Sequence, residues 1–242
     1  MAADQKRAPV SRKPAGKPEP AARSTEIDRF LAEARALAPV PSDGRGRLIF
    51  ALDATMSRQP TWDTALRLQA EMFEEAGKVG GLDIQLAYFR GFNECRASRW
   101  VGDAGALRDL MTGIQCRGGH TQIGKILTHA RRESTRKKVN VLVFVGDALE
   151  EKIDDLAAKA GELGLLGVKA FIFQEGRDPV VERGFREIAR LTGGAYARFD
   201  ANAAGQLGQL LRAAAVYAAG GLKALAGSGA RGRLLLEQLK QP

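Results

Sequence analysis

At 242 residues, 45% of them hydrophobic, the chain has enough apolar material for one α/β domain with a sizeable core and is short for two. No apolar stretch reaches the roughly 18 residues that a membrane span needs, and the polar opening MAADQKRAPVSRKPAGKPEP lacks the apolar core of a signal peptide, so a cytoplasmic protein is expected. The formal charge of +9 is concentrated at the start: residues 1–24 carry six basic and two acidic side chains, a net +4, which leaves a mild +5 on the other 218.

Residues 1–23 contain Pro9, Pro14, Pro18 and Pro20, scattered charge and no periodicity, and are read as a disordered basic leader. A short helix is expected within 24–41, with Thr25 and Asp28 in capping-box spacing and Ile27, Phe30, Leu31 and Ala34 as its apolar stripe. From Arg47 onward two signals alternate. Runs rich in β-branched and large apolar residues predict buried parallel strands at 47–53, 83–89, 139–147, 168–173 and 195–199. Stretches of helical period lie between them, at 58–76, 103–112, 122–134, 150–163, 179–191 and 203–218. SRWV at 98–101 reads as a short antiparallel edge strand. The pattern predicts a doubly wound, mostly parallel sheet with helices on both faces. A further amphipathic helix is expected at 230–240, in an extension covering 219–242.

In such a sheet, function gathers at the C-terminal ends of the strands. The first strand ends in Asp53-Ala54-Thr55-Met56-Ser57, so a tight loop can point one carboxylate and two hydroxyls the same way. The strand at 139–147 ends in Asp147, and Gly118-Gly119-His120-Thr121 places a glycine turn before a hydroxyl at a helix start. Two carboxylates and three hydroxyls form an all-oxygen set suited to Mg²⁺ or Mn²⁺. Taken singly, Asp53 reads equally as a helix cap, and Thr121 reads more readily as a cap than as a ligand.

With these residues the chain resembles the von Willebrand factor A family. That family's metal ion-dependent adhesion site is written D-x-S-x-S, then a threonine after a Gly-Gly turn, then an aspartate after the central strand. The match is Asp53, Thr55 and Ser57, then Thr121, then Asp147. Ile188-Ala189-Arg190-Leu191-Thr192-Gly193-Gly194-Ala195-Tyr196 resembles the family's late I-A-x-x-T-G-G-x-Y junction, where both glycines would permit positive φ. The resemblance covers residues 45–218 and departs from the pattern at three places: Thr55 for serine, His120 inserted after Gly-Gly, and Ala148 after Asp147. It implies that Thr55, Ser57 and Thr121 hold the ion directly or nearly so, and that Asp53 and Asp147 act largely through waters. Hydroxyl ligands leave the cation electrophilic, and a Glu or Asp of a partner protein would complete its shell.

Other readings stand beside this one. Asp53, Asp147 and Mg²⁺ suggest a phosphohydrolase with Lys125 nearby, although position 55 is threonine where the haloacid dehalogenase pattern has aspartate. The leader and the basic residues Arg131, Arg132, Arg136, Lys137 and Lys138 suggest a nucleic-acid-associated protein, without an aromatic-and-basic groove pattern. Cys95, Cys116, His120 and His129 match no zinc-finger or zinc-ribbon spacing, and the two cysteines read as reduced thiols. GKVGGLD at 77–83 lacks the Lys-Ser/Thr of a P-loop.

Overall fold

Eight consecutive buried residues, Gly46–Asp53, form β1 at the centre of the sheet. The computed structural model describes residues 45–77, 81–199, 204–226 and 237. The leader, the helix expected within 24–41 and the one expected at 230–240 lie outside the described residues. A 3-10 turn, Met56–Arg58, leads from β1 into α1, Gln59–Gly77. There follow β2 (Leu82–Arg90), β3 (Glu94–Val101), α2 (Ala104–Thr112), α3 (Ile123–Arg136), β4 (Val141–Gly146) and α4 (Ile153–Leu165). The described chain continues through β5 (Lys169–Glu175), α5 (Pro179–Leu191), β6 (Ala195–Phe199) and α6 (Ala204–Ala226).

The strands lie in the order β3-β2-β1-β4-β5-β6, all parallel except β3, which pairs antiparallel with β2. This is the architecture the alternating pattern predicts. β3 is twice the length expected, because polar Glu94–Ala97 continues the ladder to Arg90↔Glu94. There the Arg90 guanidinium grips both Glu94 oxygens at 3.0 Å. A half-exposed edge strand needs no apolar run, which is why the sequence showed only its end. α6 also outruns its expected end at 218, continuing to Ala226 across a non-helical Gly221 at φ 65°.

Alternate residues of β1 feed two cores. Leu48, Phe50 and Leu52 pack with Trp62 and Met72 of α1, Leu107 of α2 and Leu210 and Ala214 of α6. Ile49 and Ala51 face the other way, toward Ile126 of α3, Leu156 and Leu163 of α4 and Phe185 of α5. The period-2 alternation of a strand is thus buried twice, which explains why β1 and β4 read as continuous apolar runs.

At the late junction only Gly193 adopts positive φ, 54°. Gly194 is required for a different reason: a Cβ there would lie 2.0 Å from the Ala170 carbonyl oxygen. Thr192 closes α5, its hydroxyl donating to the Ile188 carbonyl at 3.0 Å and accepting from the Ala170 N–H at 3.1 Å.

From β1 the chain crosses outward to β2, and from β4 it crosses the opposite way to β5, so the crossovers diverge between these two neighbours. The C-terminal ends of β1 and β4 therefore flank the crevice where doubly wound sheets place their sites.

Candidate metal centre

Asp53 is the last residue of β1 and is buried. Its Oδ1 accepts the Thr55 N–H at 2.8 Å, which turns the chain immediately past the strand. The loop is pinned from both sides, as the Ala54 N–H donates to the Phe89 carbonyl and the Ala54 carbonyl accepts the Arg117 N–H, each at 2.9 Å. The Thr55 and Ser57 hydroxyls end 3.4 Å apart, with Thr55 buried and Ser57 exposed. One carboxylate and two hydroxyls thus converge from a five-residue stretch. Burial pushes the Asp53 carboxyl up to about 6, against the Thr55 hydrogen bonds, and the Asp147 charge adds to the rise.

Asp147 follows β4, 30% exposed, with Oδ2 3.5 Å from a guanidinium nitrogen of Arg58. Arg58 itself is only 2% exposed and donates to Glu175 at the end of β5, whose same oxygen accepts the Thr61 hydroxyl. Neither Arg58 nor Glu175 stands out in sequence. Arg58 reads as the first residue of a helix, and Glu175 lies 117 positions away, joined only by the strand order.

Thr121 sits one residue before the cap position of α3, Gln122, so it is not the cap. The Glu151 carboxylate covers the helix start instead, accepting the Gly124 N–H at 3.0 Å and the Thr121 hydroxyl at 2.6 Å. The Thr121 hydroxyl oxygen accepts the Glu150 N–H at 3.0 Å, and the Thr121 N–H donates to Glu150 at 2.7 Å. That N–H, with His120, holds the Glu150 carboxyl below its ordinary range. Gly119 lets the loop pass close to the β2–β3 turn, where a Cβ would meet the Gly91 carbonyl oxygen at 2.1 Å. The structure therefore gathers Asp53, Thr55 and Ser57 directly and links Asp147 to them through Arg58. Thr121 is tied to the loop that follows Asp147.

The donor set fits a divalent ion on two counts. Its oxygens are hard, and among the described side chains of this cluster the carboxylates Asp53, Asp147 and Glu175 outnumber the one cation, Arg58. Among the described residues no three or more His, Cys, Asp and Glu side chains group to hold a metal, so any site here depends on its hydroxyls. Cys95 and Cys116 are free, and burial pushes both thiols up to about 11.

No family model matches the sequence and no curated protein matches it significantly. Solved structures do match the fold. One is the SpRpn10 VWA domain, at TM-score 0.53 and 13% identity over 73% of this chain and 97% of that one. Another is a von Willebrand factor type A structure from Catenulispora acidiphila, at TM-score 0.55 and 15% identity, covering 71% of this chain and 43% of that one. The fold is von Willebrand factor A-like. An aerotolerance-related membrane protein of Bacteroides fragilis shares it, at TM-score 0.54 and 17% identity over 70% of this chain and 98% of that one. On this vWA-like frame, Asp53 and Asp147 flank the switch point between β1 and β4. No described helix of the chain is long and apolar enough to cross a membrane.

Proposed function

We propose that this chain is a protein-binding module that takes Mg²⁺ or Mn²⁺ at Asp53, Thr55, Ser57, Thr121 and Asp147 and works in the cytoplasm. The reading is carried by one observation: two carboxylates at the switch point, one of them buried with its pKa pushed up to about 6, beside paired hydroxyls. When bound, the ion supplies positive charge and an open coordination position to a partner's Glu or Asp. Asp53 and Asp147 balance the cation, while Thr55 and Ser57 keep the set largely neutral. For Thr121 to join it, the hydroxyl must turn from Glu151.

The chain is read as a binding module and not as an enzyme. Lys125, which a phosphohydrolase would need near its aspartates, is bonded to Asn93 and to Gln122 at 2.8 Å. Nor do the helix cations favour nucleic acid, since Arg131 pairs with Glu162 at 2.7 Å and Arg136 with Glu133 at 3.2 Å. The test is calorimetric titration of Mg²⁺ and Mn²⁺ into wild type and Asp147→Ala. Binding by wild type that the variant loses supports the assignment; equal binding, or none at millimolar metal, removes it and leaves the fold alone.

A further inference from the structure

A buried cation must be compensated locally, and the way Arg58 is compensated bears on the metal site. Its side chain is the most deeply buried charge of the cluster, 2% exposed. One guanidinium nitrogen donates to Glu175; another lies 3.5 Å from Asp147 Oδ2, beyond the roughly 2.7–2.9 Å of a strong charge-assisted bond. Nε is buried and has no hydrogen-bond partner. Glu175 is itself held by the Thr61 hydroxyl on α1, so the carboxylate that grips Arg58 is fixed between β5 and α1. Asp147 receives the weaker share of the guanidinium and keeps 30% of its side chain open.

We propose that Arg58 is a resident counter-ion of the candidate metal site which competes with a divalent cation for Asp147, and that Glu175 limits this competition by holding Arg58 to itself. The inference rests on the metal-binding reading. A guanidinium in this position repels a divalent ion and partly occupies one of its two carboxylates. It also gives those carboxylates positive charge while no metal is bound. The charge of Arg58 reaches Asp53 too, where it opposes the effect of burial. Loss of Glu175 would leave Asp147 as the charged side chain paired with Arg58 among the described contacts.

Opposite signs follow from residues outside the ligand set. Mg²⁺ and Mn²⁺ are titrated calorimetrically into the full chain, with circular dichroism confirming the fold of each variant. Arg58→Met should bind at least about tenfold more tightly than wild type, and Glu175→Gln at least about tenfold more weakly. Arg58→Met/Glu175→Gln keeps the wild-type net charge while freeing Asp147, and should bind about threefold or more tightly than wild type. Arg58→Lys restores the charge and should return affinity toward wild type. The double variant also covers the case in which Arg58→Met strands Glu175 and fails to fold. Equal affinities in wild type, Glu175→Gln and the double variant would overturn the inference and leave the metal site standing. Weaker binding in the folded double variant would also overturn it, because Arg58 would then be ordering the ligands. No binding by wild type or any variant would overturn the inference together with the metal reading.

Discussion

Asp53 illustrates how a site residue can weaken the fold that carries it. Its carboxyl is pushed up to about 6 by burial, so keeping it ionised at neutral pH works against folding when no cation is present. Asp53→Asn retains an oxygen for the Thr55 N–H and removes the charge. The metal-free variant should be more stable than wild type at pH 7.5, by up to about 3 kcal/mol, measured by calorimetry in chelator, while its Mg²⁺ binding is lost. An unchanged or lowered midpoint would mean that Arg58 already balances the charge. His129 gives the opposite kind of test, away from the site. The amide of Gln85 donates to the Ser98 carbonyl at 2.9 Å, so its oxygen accepts from His129 Nε2 at 2.8 Å. Burial holds the imidazole below its ordinary 6.5, helped by Arg132 and Arg136 and opposed by Glu133. A depressed histidine is neutral in the fold but protonates in the unfolded chain below pH 6.5, so its contribution to stability is lost as pH falls from there. The melting temperature of wild type should therefore drop further than that of His129→Gln between pH 7 and pH 5.5. Parallel profiles would show that the ring is not penalised.

At the scale of elements, strands were legible where both faces are buried and illegible where one is not. β1 and β4 announce themselves as unbroken apolar runs, while Glu94–Ala97 of β3 is assigned by its ladder to β2 alone. Asp53, Thr55, Ser57 and Asp147 were open to proposal from the sequence because strand ends in a parallel sheet converge. Arg58 and Glu175 were not, since their meeting depends on strand order and on a turn of only three residues. Thr121 was proposed from its glycine turn, yet its hydroxyl faces Glu151, a carboxylate contributed by another loop. That glycine turn offers a test of the loop's placement. Gly119→Ala puts a methyl where the Gly91 carbonyl lies and must push the Thr121 loop off the β2–β3 turn. Mg²⁺ affinity should fall at least about tenfold, while the melting temperature shifts by roughly 5 °C or less, because residues 118–121 of this loop belong to neither core. A wild-type affinity would show that Thr121 takes no part in holding the ion.

For the whole molecule, the apolar cores that carry the fold contain no candidate ligand. Two apolar cores, one on each face of the sheet, account for most of the burial, and the carboxylates cluster at the strand ends, Asp53 and Glu175 as last strand residues and Asp147 just past β4. Chelation should therefore leave the far-ultraviolet circular dichroism unchanged and lower the midpoint only by the linkage of metal to the native state. Collapse of the signal on chelation would make the ion structural. With Mg²⁺ or Mn²⁺ the chain should leave phosphoesters and nucleotides intact, and turnover abolished by Asp53→Asn would replace the binding reading with an enzymatic one.

Among the described residues the sheet has two outer strands, and they are guarded differently. β3 carries the exposed Arg96 and Arg99, while β6 is five residues long with Arg198 as its exposed side chain. Unpaired strand edges are templates for growth, and charge or brevity keeps them from recruiting further copies. By this rule the arginines of β3 are expected to guard its edge against fibril formation, whatever the ligand. Arg96→Val/Arg99→Val should fold normally yet aggregate on gentle warming, with a rise in thioflavin fluorescence that the parent chain does not show.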